Sequence, residues 1–240
     1  MSLRSWLSNQ WKWHVRPRWE CVASGICSMR VKVRATGERN VIRVGCCSRP
    51  SSVVVGGDSN TVEIAPEARV GQLTLFVHGS GNRVTIGRGR FEFLEIHIHG
   101  DGCELVLESP VYISNACLVI PESNTGIRIG AYSMLATGIE IRTGDGHGIF
   151  DRETRERVNA GASVRIGRHV WLANRVNVMK GVQIADDVVV GSGSMVTSSL
   201  TESHAIYAGF PARQIRTGVT WNWSSNEFPD TPTAWERGQP

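Results

Sequence analysis

No apolar run in the chain approaches the roughly 20 residues that a membrane-spanning helix requires. The opening MSLRSWLSNQWKWH also lacks the apolar core of a secretory leader, so the expected location is the cytoplasm. Six cysteines (Cys21, Cys27, Cys46, Cys47, Cys103, Cys117) show no C-x-x-C spacing, and they read as free thiols rather than as a disulfide framework or a structural zinc set. Acidic residues are scarce near the start: residues 1–50 hold two against ten Lys/Arg, a local balance of +8 in a chain of net charge +4. Trp6, Trp11, Trp13 and Trp19 fall in this same segment. It reads either as a cap over the open first coil of a repeat structure or as an arm that touches an anionic membrane peripherally. No nucleic-acid-binding motif accompanies the charge, so no nucleic-acid partner is expected.

What the chain does have is a repeat. From Val164 onward, apolar residues recur every six positions at Val164, Val170, Val176, Val182 and Val188. Each is followed two positions later by a second one, at Ile166, Leu172, Val178, Ile184 and Val190. Alternate residues of a strand share a face, so each pair marks a very short strand with two inward side chains. The fourth place is usually Gly or Ala, which suits a bend with no room for a larger side chain. A unit this small buries its apolar pair only by stacking on copies of itself, so the chain is a solenoid.

The N-terminal half repeats more loosely. Gly37, Gly57, Gly79 and Gly100 open four corners in succession, and each corner is followed by an apolar pair: Ile42/Val44, Val62/Ile64, Val84/Ile86 and Leu105/Leu107. Asn40, Asn60 and Asn82 recur at these corners, where Asn tolerates the backbone and bonds along a column. The tight rhythm starts at Ile127. Three hexads run from there to Gly144, and the next three begin at Val164. Residues 145–163 are therefore an excursion between two coils, and a long loop in a compact repeat is the first place to look for chemistry.

The run VRIGRHVWLANRVNVMKGVQIADDVVVGSGSMVT at 164–197, with AGFPARQIR at 208–216, resembles the hexapeptide-repeat acyltransferases. Within them it is similar to the sugar and polysaccharide O-acetyltransferases of the galactoside and maltose type. The resemblance implies an all-β fold, a left-handed parallel β-helix with three hexads per coil. Charge, repeat pattern and composition divide the chain into the basic segment 1–35, a β-helix domain 36–217 carrying the loop, and a loosely structured tail 218–240. The resemblance also implies acetyl-CoA as co-substrate, no metal, a sugar or glycan acceptor, and a homotrimer with acetyl-CoA between adjacent chains.

Carried over residue by residue, the family's catalytic histidine falls on His147 in GDGHGIFD. A general base is needed because a sugar hydroxyl is a poor nucleophile until its proton is withdrawn. Asp145 would orient the ring or stabilise the imidazolium, as would a backbone carbonyl. The cofactor positions fall on Trp171, Asn174, Ser192, Thr197, Ser198, Arg213 and Arg216. Relatives often carry lysine where Ser198 stands, and Lys180, Arg168 and Arg175 are the cations available to compensate. Trp171 either lines the acyl channel or covers a corner. Asn115 is either the acceptor-contacting asparagine or an ordinary corner residue. Arg155, Arg157 and Asn159 read either as glycan contacts or as the loop's own framework.

Three other readings stand beside O-acetyl transfer: sugar N-acetyl transfer, a non-catalytic β-helical scaffold, and a metal-dependent hydratase of the β-helical carbonic anhydrase type. The last would draw on His78, His97 and His99, with His78 and His99 expected to stack one coil apart and His97 to point outward. These three lie far from the loop and lack a fourth partner.

Overall fold

The computed structural model describes residues 30–45 and 47–223. Among them every regular element is a strand. One wall of the column is a seven-stranded parallel sheet of β2 (Val41–Arg43), β4 (Thr61–Ile64), β6 (Arg83–Ile86), β8 (Glu104–Leu107), β10 (Gly126–Ile129), β13 (Val164–Ile166) and β16 (Gln183–Ile184). The third wall begins with β1 (Val31–Ala35) and β3 (Ser51–Gly56), and the second and third walls then run together as the continuous strands β5 (Arg69–His78), β7 (Gly89–His99) and β9 (Val111–Ile120). Below β9 these walls separate. The second continues as β11 (Met134–Leu135), β14 (Trp171–Leu172), β17 (Val189–Val190) and β19 (Ala205–Gly209), and the third as β12 (Ile139–Arg142), β15 (Asn177–Val178) and β18 (Met195–Val196). The antiparallel β20 (Ala212–Thr217) folds back on β19. The result is the expected left-handed parallel β-helix.

The apolar pairs face inward. Val164, Val170, Leu172, Val176, Val178, Val188 and Val190 are completely buried in one continuous core. Corners need small residues because successive coils nearly touch there: a Cβ on Gly130 would lie 2.5 Å from the Gly167 carbonyl oxygen. Where the pattern puts serine inward, its hydroxyl is paired. Ser133 donates to the Gly167 carbonyl at 3.1 Å and accepts from the Val170 amide at 3.1 Å, so its burial leaves no orphan group.

The early coils are longer because their second and third walls are one strand. β5, β7 and β9 are ten, eleven and ten residues long and run straight through the corner that the later coils make as a turn. Gly71 permits this, since a Cβ there would lie 2.3 Å from the Glu92 carbonyl oxygen on the next coil. At another corner the asparagines stack as the repeat implies. The Asn40 side-chain oxygen accepts from the Asn60 amide at 2.9 Å, that of Asn60 from the Asn82 amide at 3.0 Å, and that of Asn82 from the Cys103 amide at 2.8 Å. The ladder ends where cysteine replaces asparagine, and the buried Asn82 Nδ2 is left without a partner.

Two expected boundaries differ. Val31–Ala35 already pairs with β3, so the column reaches further toward the N-terminus than residue 36; the rest of the basic segment, residues 1–29, lies outside the described residues. The tail is not loose at its root. Trp221 is 6% exposed, stacks on His169 at 4.5 Å and donates its indole N–H to the His169 carbonyl at 2.8 Å. Its ring also meets Trp171 at 5.9 Å, and Trp223 stands edge-on to Tyr112 at 5.0 Å. Apolar contact plus a satisfied indole makes this a clasp along the second wall. Residues 224–240 of the expected tail lie outside the described residues.

Candidate functional site

The register measures the excursion. Ile127 pairs with Val164 across 37 positions, whereas Arg165 pairs with Gln183 across 18. The loop leaves the corner between the third and first walls and returns to the same rung. Its tip is a small hairpin, closed by a bridge between Phe150 and Arg157 and by an Asp151 carboxylate that accepts from the Glu153 and Thr154 amides at 2.9 and 2.8 Å.

Asn159 organises the loop root. It is 8% exposed, and its side-chain oxygen accepts from the Ile149 amide at 2.7 Å and from Arg157 Nε at 3.1 Å. Its Nδ2 donates to Asp145 Oδ2 and to the His147 carbonyl, both at 2.8 Å. Every polar position of this amide is therefore used within the loop. The Arg157 guanidinium forks onto Glu122, on the preceding coil, and Glu122 also accepts from the Gly161 amide at 3.0 Å. Lys180, from the coil below, donates to Asp145 at 2.5 Å and to the Asn159 carbonyl at 2.9 Å. The loop is thus held from the coils above and below.

Electrostatics follow from these pairings. The hydrogen bond from Lys180, then that from Asn159, holds the Asp145 carboxyl below its ordinary range. The Arg157 fork does the same for Glu122, while Glu122 raises Arg157. Burial pushes Cys103 upward and the Cys117 thiol up to about 11, and these two are free thiols, while Cys21, Cys27 and Cys46 lie outside the described residues.

His147 stands exposed at the mouth of the loop, its backbone carbonyl fixed and its ring turned to no acidic partner among the described residues. This revises the role of Asp145. Its carboxylate is committed to Lys180 and Asn159, and no hydrogen bond joins it to the His147 imidazole; it reaches His147 only through the shared Asn159 amide. Lys180 is accordingly a loop strut rather than a spare phosphate ligand. Arg157 and Asn159 belong to the framework, whereas Arg155 remains exposed.

Of the cofactor candidates, Asn174 and Ser192 lie at one edge of the third wall and Thr197 and Ser198 at the other. Asn174 and Ser192 occupy successive coils at the corner between the second and third walls, where the Gly193 amide donates to the Asn174 carbonyl at 2.8 Å. With Thr137, Arg175 and Gly193 they line an open groove of about 610 Å³. Asn115 lies at the same corner further up: neighbouring Ser114 meets the Thr137 hydroxyl at 3.2 Å, and Asn174 Oδ1 accepts from the Thr137 amide at 3.2 Å. The acceptor and cofactor candidates Asn115, Asn174 and Ser192 therefore share one edge. Thr137 had no signal in the sequence beyond its place in a hexad.

Thr197 and Ser198 lie exposed on the opposite edge, following β18, one coil below Met179 and Lys180. Arg213 and Arg216 are exposed on β20 at the end of the column, and neither meets a carboxylate among the described residues. Arg168 sits over the Tyr132 ring at 5.6 Å. Trp171 covers the second wall beneath Trp221, and its buried Nε1 lacks a partner.

Residues 163–198 match the bacterial transferase hexapeptide family of six repeats. A polysialic acid O-acetyltransferase of Neisseria meningitidis is 31% identical over 151 residues, covering 63% of this chain and 66% of that protein. The galactoside O-acetyltransferase of Escherichia coli strain K12 is 28% identical over 123 residues, covering 46% of this chain and 59% of that one. The sequence matches thus span just under two thirds of these relatives. A crystal structure of a polysialic acid O-acetyltransferase superposes with a TM-score of 0.63 at 29% identity, over 83% of this chain and 94% of the other.

Proposed function

We propose, for a chain that belongs to the hexapeptide-repeat acyltransferase superfamily, that it transfers an acetyl group from acetyl-CoA to a hydroxyl of a polysaccharide, with His147 as general base. One observation carries the reading: the exposed His147 rides on a loop locked by Asn159, Glu122 and Lys180 at one edge of the third wall, whose other edge carries Asn115, Asn174 and Ser192. A loop pinned this firmly around an exposed, unpaired imidazole fits a reaction in which a base must be held in position. The relatives' names supply the acceptor class, a polymer of sugars that includes acidic ones.

In this mechanism His147 accepts the proton of the attacking hydroxyl as its oxygen bonds to the thioester carbonyl. The carbon–sulfur bond then breaks, and the imidazolium returns the proton to the departing thiolate. Asn159, bonded to the His147 carbonyl, limits how far the loop backbone drifts. Arg175 in the groove, with Arg213 and Arg216 on β20, offers forked donors to phosphate oxygens. The hydroxyls of Thr197 and Ser198 add acceptor and donor capacity on the far edge.

Assembly completes the site in this reading. Ile149, Phe150 and Val158 at the loop tip are 57%, 61% and 63% exposed, and a homotrimer supplies the surface that covers them. Among the described residues no helix is long and apolar enough to cross a membrane. The test of the whole reading is thiol release from acetyl-CoA across a panel of neutral and acidic polysaccharides. Release that no acceptor stimulates, with no thermal shift on adding acetyl-CoA, would sink it.

A further inference from the structure

The sequence directs attention to His78, His97 and His99 as a metal set, but the structure groups them differently. His78 and His99 do occupy the same rung of β5 and β7, yet the close parallel rings are Phe76 with His78 and His97 with His99, both at 6.3 Å along a single strand. His97 faces other donors. Glu95 lies two residues away on the same outward face of β7, and Cys117 stands directly opposite Glu95 in the register of β7 with β9. The three ligand atoms all lie within 4.8 Å of one another.

We propose that Glu95, His97 and Cys117 form a binding site for a divalent cation of the zinc class on the outer face of the third wall. The donor set is nitrogen, oxygen and sulfur, the combination that borderline-soft zinc accepts and that calcium or magnesium does not. Zinc bonds of about 2.0–2.3 Å place tetrahedral ligand atoms roughly 3.5 Å apart, so a small torsion of the exposed Glu95 side chain closes the set. Glu95 Oε1 already lies 2.6 Å from His97 Nε2, and the metal replaces the proton between them. One carboxylate, one thiolate and one neutral imidazole together balance a charge of two, with the thiol proton released to solvent.

The surroundings favour three protein ligands and one open position. His97 is held by its stack on His99 and by Phe76 at 6.5 Å. Glu140 is the next rung beyond Cys117, but Arg142 holds its carboxylate at 2.8 Å, so water occupies the fourth place. Bridging two strands of successive coils, the ion ties β7 to β9 from outside. That function is separate from proton transfer at His147, so the site stands or falls independently of the proposed reaction.

The experiment titrates chelator-treated full-length protein with zinc chloride in a calorimeter, then repeats it with cobalt(II) under an absorption spectrometer. One ion per chain is expected, with a rise in melting temperature and a near-ultraviolet thiolate-to-cobalt charge-transfer band. Cys117→Ser should abolish the band, and Glu95→Gln, which keeps the thiol and the fold, should weaken zinc binding at least tenfold. No stoichiometric binding, a band that survives in Cys117→Ser, or unchanged affinity in Glu95→Gln would each overturn the proposal.

Discussion

The Arg157 guanidinium meets the Glu122 carboxylate through two hydrogen bonds, Nη1 to Oε2 at 2.8 Å and Nη2 to Oε1 at 2.6 Å, across 35 positions of sequence. A paired fork of this kind fixes direction as well as distance. It ties the returning limb of the loop to the coil above, and Gly161 adds a backbone bond to the same carboxylate. Glu122→Gln removes the fork and leaves a side chain of the same shape. The expected result is an unchanged melting curve, faster amide exchange across 145–163 and turnover lowered by about 10²-fold, the scale of a misplaced catalytic group.

Replacing His147 by Ala leaves the column intact, because its ring contributes nothing to the core. Turnover should fall by about 10²–10⁴. Near-normal steady-state rates in the variant would remove His147 from the mechanism.

Acid should release the loop before it melts the coils. Asp145 and Glu122 both titrate below the ordinary carboxylate range in the folded chain. Their contribution to loop docking is therefore complete above the unfolded values of about 4 and is lost as pH falls through the depressed folded ones. Limited acid proteolysis, with pepsin at pH ~3 against an acid protease at pH ~5, checks this. Cleavage within 145–163 should appear only at the lower pH.

Asn159→Asp keeps the shape of the loop's central side chain but loses two donors and puts a carboxylate beside Asp145. Turnover should drop while the Michaelis constant for acetyl-CoA stays near its original value. By contrast, replacing Arg213 and Arg216 with Ala should raise that constant with little change for the acceptor, each lost charge-assisted contact being worth about 1.5–3 kcal/mol. The same weakening for both substrates would assign the arginines to structure.

Trp221→Ala removes a nearly buried ring from the second wall and exposes Trp171. A loss of about 3 kcal/mol is expected from the vacated volume, together with a red shift in tryptophan emission. An unaltered denaturant midpoint would mean that the clasp rests on the wall without supporting it.

The solenoid was legible because its signal is local: Val164 and Ile166, two apart and six from the next pair, state strand, corner and inward face together. The loop was legible as a break in that rhythm, and the asparagine ladder as a repeated corner residue. What stayed hidden depends on side chains meeting across coils. Asp145 sits two residues from His147 in sequence, but Lys180, 35 positions away, claims its carboxylate. Glu122 carried no signal beyond its place near a corner. Glu95, His97 and Cys117 come together only because β7 and β9 stack in register on successive coils, which sets Cys117 opposite Glu95. Trp221 looked like tail because nothing in its neighbourhood repeats.

The excursion returns the chain to the rung it left, since Glu140 pairs with Asn177 across the same 37 positions that separate Ile127 from Val164. The register of the coils beneath is therefore set independently of the loop's length, while the loop itself is tied to its neighbours through Glu122 and Lys180. Architecture and chemistry are written in separable parts of this molecule. A loop of another size could leave and rejoin the same rung without changing the register of the coils on either side, so the fold behaves as a mounting rail for interchangeable heads.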